Sequence, residues 1–126
     1  MAGAIPKPLY NVAQNFARLT LIALYPIRYG IFEVQTTELF DRWLRDLRNR
    51  TARAKITGRI DRLSHGNPGH VRPVGEGVSE MKVDTGPGYR IYYKQTGKTI
   101  IVILCGGDKS SQDSDIRKAK QIAARF

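Results

Sequence analysis

Val78-Ser79-Glu80-Met81-Lys82-Val83, Tyr89-Arg90-Ile91-Tyr92-Tyr93-Lys94-Gln95 and Thr99-Ile100-Ile101-Val102-Ile103-Leu104-Cys105 follow one another with two short links between them. All three runs are rich in β-branched and aromatic residues, and the first alternates polar with apolar side chains as a strand with one buried face does. Gly86-Pro87-Gly88 and Thr96-Gly97-Lys98 are turn chemistry, so the three runs are expected to pair as an antiparallel meander. The third run is apolar on both faces, which places it inside the sheet with helices over at least one side. Gly106-Gly107 is expected to end it.

C-terminal to the meander, Ser110 or Ser111 can cap a helix with Asp113 and Asp115 at its positive end and Lys118, Lys120 and Arg125 towards its negative end. Ile116, Ala119, Ile122 and Ala123 give that helix a buried face. On the N-terminal side, Ile31 to Gln35 alternates as a short strand, and Thr36 is the expected cap of a helix in which Leu39, Phe40, Trp43, Leu44 and Leu47 recur at helical spacing. Asn49-Arg50-Thr51 breaks the pattern before a second helix with Ala52, Ile56, Ile60 and Leu63 on one face, ending at Gly66-Asn67-Pro68-Gly69. The order is strand, helix, helix, three strands, helix: an α+β domain, an antiparallel sheet covered by an N-terminal helical hairpin and a C-terminal helix.

Residues 1–28 read differently, as an N-terminal extension expected to be poorly ordered, with the domain running over 29–126. Its apolar stretch, Leu19 to Tyr25, is seven residues long, far short of the ~20 needed to cross a bilayer. No membrane partner is expected, and a signal peptide is not expected either, since a charged start with a small-residue cleavage site is missing.

The chain has 126 residues, with 21 Lys and Arg against 11 Asp and Glu, for a net charge of +10. A polyanionic partner follows from that balance: a nucleic acid, an acidic protein or an anionic surface. The single cysteine, Cys105, rules out a disulfide framework and sits in an apolar run, so it is expected to be a buried small hydrophobe in a reducing, cytoplasmic setting. No HExxH, Cys/His cluster, GxxxxGK[ST] or dinucleotide-binding glycine fingerprint occurs, so neither a metal nor another cofactor is expected. His65 and His70 flank a Gly/Pro loop and lack ligand partners.

What remains is cationic and polar chemistry on the meander. Period-two alternation sends Glu80, Lys82 and Asp84 to one face of their strand, and Arg90, Tyr92 and Lys94 to one face of the next. Such groups could cleave RNA by attack of a ribose 2′-hydroxyl on the adjacent phosphate, which needs a proton acceptor, cations for the charged phosphorane and an acid for the departing oxygen. Arg90, Lys82 and Lys109 offer charge; Tyr92, Tyr93, Asp108 or His70 offer proton transfer. Equally, Tyr89, Ile91 and Tyr93 can be core, and Arg90 can pair with Glu80 or Asp84 across the strands. Between Arg42 and Arg62 lie eight basic and two acidic residues, a ridge that suits a solvated helix face as well as a phosphate backbone or an acidic partner. Arg53, Lys55, Arg59, Arg72 and Lys94 are the expected phosphate-binding residues, and Arg90, Lys82, Lys109 and Tyr92 the expected catalytic ones.

Three motifs in order carry a resemblance: Arg72-Pro73-Val74-Gly75-Glu76-Gly77-Val78-Ser79-Glu80-Met81-Lys82, Gly86-Pro87-Gly88-Tyr89-Arg90-Ile91-Tyr92-Tyr93, and Leu104-Cys105-Gly106-Gly107-Asp108-Lys109-Ser110-Ser111-Gln112, followed by Asp115-Ile116 and Ala119. The chain resembles the HigB-type addiction-module killer branch of the RelE/ParE toxins over residues 29–126. The resemblance implies a RelE-like, microbial-ribonuclease-like α+β fold and a toxin paired with a cognate antitoxin, expected to be a helix-turn-helix protein from an adjacent gene. It also implies cleavage of messenger RNA at the ribosome or, in ParE-like members, poisoning of DNA gyrase; a catalytically silent antitoxin-binding module is the third reading. Arg90 matches the arginine that follows the Gly-Tyr pair. Lys82 stands where this branch often has arginine, Thr85 where an aromatic is common, and the C-terminal Tyr or His of well-known relatives has no clear counterpart.

Overall fold

A computed structural model of the chain describes residues 32–126; the extension over 1–28 and the start of the expected first strand lie outside the described residues. Five strands and three helices follow in the order β1 (Glu33–Thr36), α1 (Glu38–Asp46), α2 (Arg50–Ser64), β2 (Val71–Gly75), β3 (Val78–Val83), β4 (Tyr89–Thr96), β5 (Ile100–Asp108) and α3 (Gln112–Ala123), with a 3-10 turn at Lys109–Ser111 before α3. The strands form one sheet in the order β1-β5-β4-β3-β2.

The meander of β3, β4 and β5 is antiparallel, as its turns require. Two features correct the expected antiparallel sheet. β1 pairs with β5 in parallel, Glu33 opposite Ile100 and Thr36 opposite Ile103, so the sheet is mixed. Parallel pairing needs a long crossover, and the helices and three strands between β1 and β5 supply it. The second feature is β2, an edge strand paired with β3 whose Pro73 masks it in the sequence. Proline donates no backbone hydrogen bond and is tolerated at an edge, where no further strand demands one.

Both faces of the sheet are covered. Val34, Met81, Val83, Tyr89, Ile91, Tyr93, Ile101 and Ile103 meet Phe40 of α1 and Ala52, Ile56, Ile60 and Leu63 of α2. On the opposite face Val78, Tyr92, Val102, Leu104 and Cys105 meet Ala119 and Ala123 of α3. Burying one such aliphatic side chain stabilises the fold by roughly 1.5–3 kcal/mol. Cys105 is buried among them, and burial pushes its thiol up to about 12, with Asp115 nearby adding to the shift.

The starts of α1 and α2 are fixed by side-chain caps; at α3 the expected cap is not made, because the Ser111 hydroxyl donates to the Asp115 carboxylate at 2.6 Å and accepts no helix N–H. Thr37, rather than the expected Thr36, caps α1 by accepting from Phe40 N at 3.1 Å, and it also donates to the Leu104 carbonyl at 2.6 Å. Thr36 remains in β1 and donates its hydroxyl to Asp41. Asn49 caps α2 by accepting from Ala52 N at 3.0 Å. Leu39 is 38% exposed, because the buried arc of α1 centres on Phe40, Trp43, Leu44 and Leu47 and leaves it outside.

β5 runs through Gly106 and Gly107 to Asp108 instead of stopping before them. A bulge precedes them: Tyr92 pairs with Cys105 but Tyr93 with Ile103, leaving Leu104 without a partner on β4. The bulge breaks the period-two alternation, so Leu104 and Cys105 both face α3. It also aims Gly106 at Trp43 and Gly107 at α3. A Cβ on Gly106 would stand 2.5 Å from the Trp43 ring; one on Gly107 would collide with the Asp115 carboxylate, whose Cγ would be 2.8 Å away, and lie 3.0 Å from Ser111 Oγ.

Gly107→Ala is therefore expected to destabilise the fold by roughly 1–3 kcal/mol through overpacking, measured by chemical denaturation. The double variant with Asp115→Ala should recover part of the loss. Equal losses in the presence and absence of Asp115 would show that the close approach is not what limits this position.

Candidate functional site

The cross-strand register settles which cations stand together. Lys82 lies directly opposite Arg90, and Arg90 opposite Gly107; one row further, Arg72 lies opposite Glu80, and Glu80 opposite Tyr92. Directly opposed residues share a face, so Arg72, Glu80, Lys82, Arg90, Tyr92 and Lys94 all stand on the face that carries α3. That helix crosses the face from its first turn, where Asp115 packs on Gly107, to Ala123, whose carbonyl accepts from Lys94 Nζ at 3.2 Å. The Lys82–Arg90 row lies at its N-terminal end. His70 extends the row: its carbonyl accepts the Lys82 N–H at 3.0 Å, and its exposed side chain falls on the same face by ladder alternation.

Glu80 is the centre of this end of the sheet and is only 4% exposed. Its Oε1 accepts from Arg72 Nε at 2.8 Å, and its Oε2 accepts from the Tyr92 hydroxyl and from Gln112 Nε2, each at 2.9 Å. Burial pushes the carboxyl up, but the hydrogen bonds from Arg72, Gln112 and Tyr92 together outweigh it and hold Glu80 below its ordinary value. Tyr92 is fully buried; desolvation and its bond to the carboxylate raise its hydroxyl well above the usual tyrosine range. That hydroxyl is a committed donor.

Arg90 is 8% exposed, unusual for a guanidinium. Its Nη1 donates to the Gly88 carbonyl at 2.9 Å, and its Nε stands 3.9 Å from Glu80 Oε2, within ion-pair range but too far for a hydrogen bond. Nε is buried without an acceptor. Lys82 is half-buried, with Nζ 3.4 Å from Asp84. Lys109 is exposed on the 3-10 turn just past β5. Asp108 bonds the Ser110 hydroxyl and N–H, which hold its carboxyl below the ordinary value with a smaller contribution from the Arg90 charge.

The other expected phosphate contacts lie elsewhere. Arg53, Lys55 and Arg59 belong to α2, over the opposite face. Arg53 donates to the Leu47 carbonyl, and Arg59 spends donors on the carbonyls of Lys82 at 2.6 Å and Pro68 at 3.0 Å. Lys55, Gly58, Arg59 and Arg62 line a cleft of about 340 Å³ with Val83 and Asp84. Lys94 sits at the far end of α3. Tyr93 faces α2 in the core, away from Arg90. Gln112 closes the third motif in the sequence but carries no expected role there, reading as one polar residue at a helix start; only the fold brings it to Glu80. Among the described residues, no group of three or more His, Cys, Asp and Glu could hold a metal ion, and no helix is long and apolar enough to cross a membrane.

A depressed carboxyl pKa in the folded state contributes stability that is present above the unfolded value and is lost as pH falls through the folded one. Glu80 should accordingly steepen acid unfolding below about pH 4.5, the ordinary glutamate value. Asp108 acts in the same direction and Asp41, raised by burial, in the opposite one, so the comparison is between variants. Glu80→Gln should shrink the loss of melting temperature between pH 6 and pH 3; an unchanged loss would show that the carboxylate is not held in this way.

Residues 42–126 match the family model described as Phage derived protein Gp49-like (DUF891). An uncharacterized protein of Haemophilus influenzae is 47% identical over 91 residues, covering 72% of this chain and 92% of that protein. No solved structure matches the chain. The matched span includes the whole meander, Glu80, Lys82, Arg90 and the two glycines of β5, and the family is one of RelE/HigB-like toxins. The chain belongs to the Gp49-like family of phage-derived proteins, and so to the toxins of toxin–antitoxin type.

Proposed function

We propose that this toxin is an endoribonuclease of the HigB branch, a RelE-like domain over residues 29–126 that cuts translated messenger RNA at the ribosome in the cytoplasm until a cognate antitoxin neutralises it. The observation that carries the reading is Arg90: a nearly buried guanidinium with an unpartnered Nε, directly opposite Lys82 on one sheet face. In the proposed reaction a ribose 2′-oxygen bonds to the adjacent phosphorus while the bond to the 5′ oxygen breaks, leaving a 2′,3′-cyclic phosphate and a 5′-hydroxyl. Arg90 stabilises the phosphorane, its planar fork suited to two phosphate oxygens, and Lys82 adds a second charge. His70 accepts the 2′ proton from the end of the row. Solvent water protonates the departing 5′ oxygen, giving the 5′-hydroxyl, and Lys109, exposed just past β5, adds charge beside the row; Arg72 and Lys94 on this face and Arg53, Lys55 and Arg59 on α2 attract the polyanion. Tyr92 serves through Glu80 and not as an acid.

Purified protein added to translating ribosomes is expected to cut messages within codons and leave 5′-hydroxyl ends. Arg90→Ala should slow cleavage by about 10²–10³-fold, the usual cost of losing one oxyanion-stabilising group. His70→Ala and Lys82→Ala should also lower the rate without changing the melting temperature much. Intact messages with wild-type protein would overturn the reading, and gyrase-dependent double-strand breaks with RNA untouched would replace it by gyrase poisoning.

A further inference from the structure

We infer that Glu80 is a positioning residue that holds Arg90 and Arg72 on either side of one buried carboxylate, so that the two guanidiniums meet a phosphodiester as a pair. The inference rests on the RNA-cleaving reading of the same face and adds to it a residue that never touches the substrate.

The argument begins with cost. A carboxylate taken out of water is expensive unless its lone pairs are filled. Glu80 is filled from three separate elements: Arg72 of β2, Tyr92 of β4 and Gln112 at the first residue of α3. Two of these donors carry no formal charge, so their bonds fix where the carboxylate sits without neutralising it. Its charge is left to act on the arginines. Arg72 takes it as a direct hydrogen bond while its side chain stays 57% exposed. Arg90 takes it at 3.9 Å, with Oε2 already occupied by Tyr92 and Gln112.

That difference has a chemical consequence. Were Arg90 to donate directly to Glu80, the bond would compete with any ligand; at 3.9 Å the carboxylate holds the guanidinium by charge and leaves Nε unspent. A buried donor without an acceptor is a standing cost, and a small shift of the Arg90 side chain towards an incoming phosphate oxygen would relieve it. Without the negative charge between them, the two guanidiniums would lose the attraction that draws both to one point. Glu80 itself is a poor proton acceptor, since its lone pairs are engaged and its acidity is increased by its partners. Its influence on the reaction passes through Arg90.

The test uses the full chain and two readouts. On translating ribosomes, Glu80→Gln should lower kcat by about 10²-fold, the scale of a misplaced catalytic group, with KM little changed; Glu80→Asp, which keeps the charge, should recover part of that loss. Independently of cleavage, the Arg90 side-chain Nε–H signal in ¹⁵N NMR, assigned with Arg90→Lys, should shift when a short 2′-deoxy oligonucleotide is added to wild type. In Glu80→Gln the signal should move to the free-arginine position and lose that response, while backbone amides keep their native dispersion. A folded Glu80→Gln with wild-type kcat and a wild-type Arg90 signal overturns the inference. If Glu80→Gln does not fold, Tyr92→Phe and Gln112→Ala carry the test, each expected to shift the Arg90 signal partway; no shift in either overturns it. Should wild type cut no RNA, the nuclease reading fails, and the Arg90 signal still decides the role of Glu80.

Discussion

Two helical layers close on one strand end, and glycine is what lets them. At Gly106 the ring of Trp43 rests on the backbone of β5 from one side; at Gly107 the carboxylate of Asp115 does so from the other. Neither approach tolerates a methyl group. The bulge at Leu104 decides which glycine faces which layer, and the carbonyl of Leu104 is the one that Thr37 grips as α1 begins. Strand, bulge, cap and both helices are thus fixed by one short stretch of backbone. Tyr89 and Phe40 complete the seat of Trp43, with ring centroids 6.0 and 5.8 Å away.

The candidate site inherits that geometry. Because Gly107 lets α3 start close to the sheet, Gln112 reaches Glu80 from above while Arg72 and Tyr92 reach it along the sheet. A charged side chain on the interior face of a small sheet is stable only when so enclosed. The same enclosure brings Arg90 into low dielectric, where a positive charge acts more strongly on a bound anion than it would in water. Candidate site and scaffold are therefore not separate parts here: the hydrogen bonds around Glu80 also tie α3 to β2, β3 and β4.

Much of this was legible in the sequence, for reasons that mark the boundary of legibility. Ala52, Ile56, Ile60 and Leu63 declare α2 because their spacing is local, and the turns at Gly86-Pro87-Gly88 and Thr96-Gly97-Lys98 declare the meander for the same reason. Arg90 stood out by residue type and by its place after Gly88-Tyr89. The misses are non-local or break a period. β2 hides behind Pro73; the partner of β1 lies across most of the chain; the bulge at Leu104 reverses an alternation that otherwise reads cleanly. Lys82 and Arg90 face each other only because of a register set by the intervening loop, and a glutamate that alternates outward in sequence becomes a buried hub only when α3 lands on it.

The parallel pairing of β1 with β5 has a consequence in time. Glu33 finds Ile100 and Thr36 finds Ile103, so the N-terminal strand has no partner until nearly the whole domain has left the ribosome that makes it. Contacts of such long sequence separation are slow to form and are made late, after their loop-closure entropy has been met. The bond from Thr37 to the Leu104 carbonyl and the seat of Trp43 on Gly106 wait on the same event. A chain cut short before β5 would retain α2 and most of the basic ridge but could not assemble the layer that holds Arg90, which makes completion of synthesis a condition for the finished site.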